Sequence, residues 1–523
     1  MLPFETLLLL LGLVTVCALL AKYVRMSEPI LMTLMGLVLS YLPGFPAIEL
    51  KPELIFLVFL PPILYSAAWY TSFGQFRRFA EPIMVMAGGS VLVTTVVVGA
   101  AAMWLVPGMT WPVALTLGAI VSPPDAAAAT AITQPLGLPR RLITVLEGES
   151  LVNDATALVA YRFAVAAVVS GTFSVAEASL QFVWVALGGV GIGLALGWLI
   201  GQIHARFQAE SAVDVTLTLI TPYLSYMAAE HAHASGVLAV VTTGLYIGGR
   251  ASILHTARTR RSAIAVWDWL VFVLNGLIFL LIGLHLPLML RQIRGYSWSE
   301  LALYVFVVNL AVIGARLGFV ALADTVSNTV RRKLGLSRIF PDFAYAVVLG
   351  WTGLRGIVSL AAALALPLTL ANGQPFPYRN LILFLSFSVI VVTLVVQGGL
   401  LPWLIRRLGV SGDTSDVTER EYEARQRAFE AGRAYVLRET DRQRLPAHIT
   451  NYLRAMHDLR TAAEPEGARQ RAEKASHQVV LEALNEERRV LIELRESGFI
   501  DDEIFRRIER DIDLEELNVI GTE

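Results

Sequence analysis

Apolar stretches of bilayer length follow one another along the first 410 residues of this chain and then cease. A helix needs about 20 mostly apolar residues to cross the hydrocarbon core. Thirteen such stretches are legible, at 4–22, 29–42, 53–70, 81–106, 111–134, 142–169, 176–203, 212–230, 234–250, 264–290, 300–323, 341–370 and 378–405. The second is short enough to tilt or lie partly at the interface, and the longest imply bends. The sequence therefore predicts an all-α polytopic membrane protein. It has about 13 transmembrane helices over 1–410 and a polar, helical tail over 411–523.

Charge follows the same division. Charged residues make up 16% of the chain, against about 25% in ordinary soluble domains. Residues 1–410 carry 17 acidic and 24 basic side chains, and 411–523 carry 26 acidic and 18 basic ones. No basic nucleic-acid footprint is present. A single cysteine, Cys17, excludes an intrachain disulfide framework and a thiolate metal cluster. The stretch from Phe4 to Ala21 lacks a basic leader and is followed by Lys22 and Arg25, which reads as an uncleaved first helix. Cys17 follows Val16, which disfavours a lipoprotein cleavage site.

Loops after odd-numbered stretches hold 17 Lys and Arg, including Arg77, Arg78, Arg140, Arg141, Arg260 and Arg261. Loops after even-numbered ones hold four: Lys51, Arg291, Arg294 and Arg379. The positive-inside rule then expects the N-terminus outside and the C-terminus in the cytoplasm of an inner or plasma membrane. In the tail, Leu481, Leu484, Val490, Leu491 and Leu494 suggest an amphipathic helix with i,i+4 charge pairs. Gly498 would stop it, and Asp501-Asp502-Glu503 would open a second helix.

Ionisable groups at membrane depth cost at least ~2.5–3.5 kcal/mol each on insertion scales and mark functional sites. Two adjacent stretches hold the important ones. The fifth contains Ser122-Pro123-Pro124-Asp125. Its two prolines remove backbone donors and free carbonyls upstream, beside a carboxylate. The bland alternative is a kink with a capping Asp. The sixth contains Glu147-Gly148-Glu149-Ser150-Leu151-Val152-Asn153-Asp154. Glu149 shares a helix face with Asn153, and Ser150 shares one with Asp154. Asp154, Asn153 and Ser150 offer oxygen ligands only, which suits a hard monovalent cation and not a transition metal. Glu147 lies nearer the basic Arg140–Arg141 loop.

Later stretches hold Arg316 and, within Gly350-Trp351-Thr352-Gly353-Leu354-Arg355-Gly356, Arg355. Either arginine is able to balance the acids or to snorkel to the interface. Three glycines in seven residues weaken the twelfth helix as two prolines break the fifth. Paired interrupted helices seven stretches apart point to an inverted-repeat transporter with a midplane site. His231 and His233 are two apart and point away from each other on a helix, so no metal site is expected there. His285 reads as structural or interfacial.

At these residues the chain resembles the cation/proton antiporter family one, the bacterial sodium/proton antiporters and sodium/proton exchangers. The matching strings are Ser122-Pro-Pro-Asp125, Gly148-Glu-Ser-Leu-Val-Asn-Asp154, Trp267-Asp268 with Leu274-Asn275, Ser235-Gly-Val-Leu-Ala-Val240 and Gly353-Leu-Arg-Gly356. The tail around 495–517 resembles a bacterial subgroup with a long cytoplasmic extension. The resemblance implies crossed discontinuous helices, a homodimer, and a role in pH homeostasis. It implies that Asp154 binds Na+ and H+ in turn, with Asp125 flanking the site. Asn153 orders it and is placed to contact Glu149, and Ser150 lends an oxygen. Glu149 would pair with Arg316, and Arg355 would offset the broken helices. Many members carry threonine just before the first aspartate. Here Pro124 stands there, leaving Ser122, Thr130 or a freed carbonyl as substitute ligands.

The expected activity is secondary active Na+/H+ exchange by competition at a buried aspartate; the resemblance favours electroneutral exchange, and a further proton carried by Asp125 is the alternative stoichiometry. The partners are Na+ (or Li+ or K+), H+ and lipid, with no cofactor, no nucleic acid and no enzymatic reaction. Potassium/proton exchange is the alternative within the class, and a cation channel is the alternative outside it. No charged ring or filter repeat supports a channel, no Gly-x-x-x-x-Gly-Lys-Ser/Thr run supports ATP use, and no nucleophile or metal ligand set supports a membrane hydrolase.

Overall fold

The protein is described by a computed structural model over residues 4–410, except 25, 43–54, 72, 134–135, 171–174, 208–209, 294, 334–342 and 371–372. Beyond 410 it describes only scattered residues between 431 and 514. The chain divides into two compact units, Met1–Gly412 and Asp413–Glu523. Among the described residues the first unit is built of helices, and its β-pairing is one isolated bridge between Thr369 and Pro375.

Each apolar stretch falls on a helix or on a pair of half-helices. In order these are α1 (Phe4–Val24), α2 (Glu28–Leu39), α3 (Ile55–Tyr70), α4 (Ala80–Leu105), α5 (Trp111–Val121), α6 (Ala126–Thr133) and α7 (Arg140–Ser170). There follow α8 (Val175–Phe207), α9 (Ser211–His231), α10 (Gly236–Gly248), α11 (Ala257–Gln292), α12 (Trp298–Lys333), α13 (Phe343–Trp351), α14 (Ile357–Leu364) and α15 (Arg379–Leu408). Seven of them (α1, α4, α7, α8, α11, α12 and α15) are long and apolar enough to cross a membrane, and α2, α3, α5 and α10 are shorter apolar helices. The chain is a multi-pass membrane protein.

Helices α11 and α12 run several residues past the expected limits of 264–290 and 300–323. Hydropathy marks where hydrocarbon ends, and a helix continues past that plane into water wherever its backbone bonds persist. The faces that α1, α4, α8 and α12 turn outward carry exposed Leu, Val, Phe and Trp, including Leu8, Leu92, Trp198 and Phe306. Apolar outer faces of this kind are suited to lipid. Helices α11 and α15 lie largely inside the bundle. Helix α2 packs closely on α11. A Cβ on Gly36 would overlap the Leu280 carbonyl, and one on Gly283 would overlap the Thr33 carbonyl. Small residues let two membrane helices approach backbone to backbone.

Three helices carry a wide π turn, Ile55–Phe59 in α3, Val85–Ser90 in α4 and Thr393–Gln397 in α15. Such turns reset the register of the side chains that follow and recur at functional sites. The turns in α4 and α15 touch the site described below.

In the second unit, Leu484 is helical and buried, and Val490 is helical and exposed. Arg489 bonds Glu486 at 2.9 Å and Glu493 at 2.7 Å, three and four residues away. Leu481, Leu491, Leu494, Gly498 and 501–503 lie outside the described residues.

Candidate ion-binding site

The site begins with the breaks in two helices. In the fifth stretch Pro123 has no N–H for the carbonyl four residues back, that of Ala119. The Ser122 hydroxyl donates to it instead, at 3.0 Å. The Asp125 N–H donates to the Leu354 carbonyl at 2.7 Å, across to the other broken helix, which leaves the Val121 carbonyl open. Arg355 Nε donates to that carbonyl at 2.7 Å, and its Nη1 donates to the Gly353 carbonyl. The Arg355 N–H donates to Thr393 Oγ1 at 3.1 Å, and the Trp351 carbonyl accepts from Gln397 Nε2. The π turn of α15 thus supplies the partners that the Gly-rich break has lost.

Polarity at the crossing follows from this exchange of bonds. The C-terminal ends of α5 and α13 share the buried cation of Arg355. The N-terminal ends of α6 and α14 share the carboxylate of Asp125. Asp125 Oδ1 accepts from the Ala127 N–H at 2.9 Å, and Oδ2 accepts from the Ile357 N–H at 3.3 Å. Helix N-termini favour an anion and C-termini a cation, so each pole is matched by a side chain of opposite sign. A Cβ on Gly356 would overlap the Asp125 carboxylate, so only glycine lets α14 approach so closely.

Asp154 stands on α7 beside the crossing, 4% exposed. With Asp125, Ser150 and Thr130 it lines a cavity of about 490 Å3, whose wall also includes Glu28 and Glu147. These two acids come from the starts of α2 and α7, next to the Arg-rich loops, so the hollow runs from Asp154 toward that end of the bundle. A second cavity, of about 640 Å3, lies on the opposite side of Asp154 and is lined by Leu158, Tyr161, Arg162, Glu230, Leu364 and Arg379 among others. Asp154 lines the first and Leu158 the second, and the two residues stand about one helical turn apart on α7.

Asn153 faces away from the first cavity. Its Nδ2 donates to the Pro124 carbonyl at 3.0 Å, while its buried Oδ1 has no hydrogen-bond partner among the described residues. The shared helix face suggested a contact with Glu149. Glu149 is instead engaged by Arg316 in a two-pronged pair at 2.6 and 2.9 Å, both side chains 1% exposed. Arg316 also reaches the Leu349 carbonyl at 3.3 Å and Ser90 Oγ at 3.5 Å, the latter from the π turn of α4. A bidentate pair with further acceptors is the arrangement that makes a buried charge tolerable.

The structure thus gathers Asp125, Asp154, Ser150 and Thr130 around one hollow, with Asn153 and Arg355 behind the crossing and Glu149–Arg316 as a brace. Ser122, buried in its bond to Ala119, is not among the lining residues. Thr130 donates to the Ala127 carbonyl at 3.2 Å. His231 bonds back to the Met227 carbonyl at 2.7 Å, and His285 bonds its own helix at Leu281 and stacks on Phe387. The sequence reading passed over Ser90, Thr393 and Gln397. No local pattern marks them, and the one available signal is that each is a polar residue within a long apolar helix.

Comparison with known proteins bears on the whole unit. A family model described as the transmembrane sodium/hydrogen exchanger matches residues 8–407. The chain is 33% identical to a protein named as an uncharacterized Na+/H+ exchanger in Mycobacterium bovis, over 98% of this chain and 97% of that one. It is also 33% identical to a sodium, potassium, lithium and rubidium/H+ antiporter of Bacillus pumilus, over 77% of this chain and 61% of the relative. Among solved structures, the sodium proton antiporter MjNhaP1 of Methanocaldococcus jannaschii aligns with a TM-score of 0.61 at 19% identity. That alignment covers 77% of this chain and 97% of the other, a likeness of fold.

Proposed function

The chain belongs to the sodium/hydrogen exchanger family, and from that premise we propose that it is a secondary active antiporter exchanging Na+ for H+ at Asp154. The observation that carries this reading is a carboxylate 4% exposed, bonded to no cation among the described residues, at the end of a cavity that reaches toward one face. A charge in that position needs neutralising, and either a proton or a hard cation does so. The two compete, so binding of one releases the other.

The rest of the crossing is already balanced. Asp125 is held by two helix N-termini, Arg355 by two sets of C-terminal carbonyls, and Glu149 by Arg316. That leaves Asp154 as the one acid whose charge changes during exchange, and one proton then replaces one Na+ without net charge movement. Asp154, Asp125 and Ser150 supply oxygens to the ion, with Thr130 at the same wall. Alternating access requires that Asp154 open toward one hollow while closing to the other. The Arg-rich loops face the cytoplasm, which puts the first cavity and the C-terminal tail inside and the N-terminus outside. The transporting form is a homodimer in the cell membrane.

Proton flux in proteoliposomes tests this. An imposed Na+ gradient should drive H+ in the opposite direction, and an imposed voltage should leave the rate unchanged. A current carried by Na+ without counter-flow of H+ would point to a channel. A broader ion range is the second reading, favoured by Pro124, which removes a hydroxyl beside Asp125, and by the four cations in the Bacillus relative's name. Comparing Na+, Li+ and K+ in the same vesicles decides between them.

A further inference from the structure

Outside the crossing, the bundle buries a second group of ligating side chains, His204 at the end of α8, Asp214 in the first turn of α9, and His255 shortly before α11. All three are buried, and one ligand atom from each lies within 4.8 Å of the others. His204 Nδ1 and Asp214 Oδ1 are 3.1 Å apart, and the two imidazoles meet edge to face with centroids 4.5 Å apart. None of the three lines either cavity described above.

Buried polar atoms normally find hydrogen-bond partners. Here His204 Nε2 and both ring nitrogens of His255 have none among the described residues. The surroundings hold these rings in place without bonding those atoms. Arg260 Nη1 donates to the His255 backbone carbonyl at 2.7 Å, and Trp69 stacks on the His255 ring at 5.4 Å.

We propose that His204, Asp214 and His255 form a binding site for a transition-metal dication of the Zn2+ class, separate from the transported ions. Two imidazoles and a carboxylate are a recurrent zinc ligand set that leaves a fourth position for water. Ligands about 2.0–2.1 Å from a tetrahedral zinc stand about 3.3–3.4 Å from each other, close to the His204–Asp214 separation here. Nitrogen donors select against Na+, K+ and Mg2+, which prefer oxygen. A metal at this point ties the α8–α9 hairpin to the segment that leads into α11, the helix whose Asp268 and Asn275 line the exchange cavity. It therefore braces the Arg-rich end of the bundle beside the route to Asp154.

The test uses the full-length protein, with any affinity tag removed, stripped with a chelator and then titrated with Zn2+ alone and Co2+ alone. The expected result is one equivalent of Zn2+ per chain by elemental analysis, a saturable rise in Tm, and visible absorption bands of four-coordinate Co2+. H204Q combined with H255Q should lose all three readouts, and H231Q combined with H233Q should keep them. Wild-type protein that retains less than a tenth of an equivalent after desalting, with no Tm shift, would overturn the proposal. So would unchanged stoichiometry in H204Q/H255Q. Should that double variant fail to fold, the wild-type metal content and Co2+ spectrum decide the matter alone. Because these readouts involve no transport, they stand or fall independently of the exchange reaction.

Discussion

The crossing of the broken helices and the histidine cluster at the Arg-rich end are both buried polar assemblies, and they are built on opposite plans. At the crossing, carbonyls and N–H groups released by the two breaks are taken up one by one by Ser122, Asp125, Arg355 and Gln397. The donors that remain are oxygens, and they face a cavity. In the histidine cluster three of the four ring nitrogens, His204 Nε2 and both of His255, have no partner among the described residues, and neither cavity reaches them. An ion that must leave again within a transport cycle needs a path and ligands that also accept a proton. A resident ion needs neither. The difference between the two assemblies is that between a site for passage and a site for residence.

The sharpest way to break that comparison is Asp154→Asn. The amide keeps the shape and removes the exchangeable charge, so Na+-driven H+ flux in proteoliposomes should fall to background. Zn2+ binding at His204, Asp214 and His255 should be unchanged in the same protein. Residual sodium-dependent proton movement would place the exchanging acid elsewhere.

Next in size is Arg316→Ala, which strands Glu149 in a 1% exposed position. Removing one partner of a buried pair costs about 3–5 kcal/mol. A large drop in Tm and yield is expected. The apolar double replacement Glu149→Leu with Arg316→Met should recover much of the loss, because no lone charge remains. Equal instability of single and double variants would mean that Arg316 acts chiefly on the Leu349 carbonyl and the break in α13.

Gly356→Ala should have a smaller effect. The added Cβ meets the Asp125 carboxylate, so either α14 retreats or the carboxylate turns away from the Ile357 N–H. Apparent Na+ affinity is expected to fall about tenfold, equivalent to about 1.4 kcal/mol, with the protein still folded. Wild-type affinity in this variant would show that Asp125 does not need its place between the two N-termini.

These residues also show what a sequence makes legible. Pro123, Pro124 and the glycines around Arg355 announce their breaks because they act on their own backbone. The acids of α7 announce themselves because charge is scarce in apolar surroundings. What each group then bonds depends on the register of two helices some 230 residues apart, and no local spacing encodes that register. Helical spacing put Asn153 beside Glu149, yet the stronger claims came from a distance: Arg316 took the carboxylate and Pro124 offered a bare carbonyl. The histidine cluster is the extreme case. His204 and Asp214 are ten residues apart across a turn, and His255 arrives from a third segment, so the group exists only in the folded bundle.

The smallest effect is expected from removing the tail after Gly412. Every residue named at the crossing and its cavity lies between Glu28 and Gln397, and the histidine cluster lies between His204 and His255, so both sites belong to the unit Met1–Gly412. The tail forms a compact unit of its own, and its described ion pairs, such as Arg489 with Glu493, are exposed. Exposed pairs of this kind contribute little to stability. The truncated protein should therefore keep Na+/H+ exchange within about twofold of the full chain and should keep its equivalent of Zn2+. If exchange is lost while Tm and Zn2+ binding persist, passage and residence are separable in a further way: the membrane unit holds its resident ion alone but needs the tail to turn over.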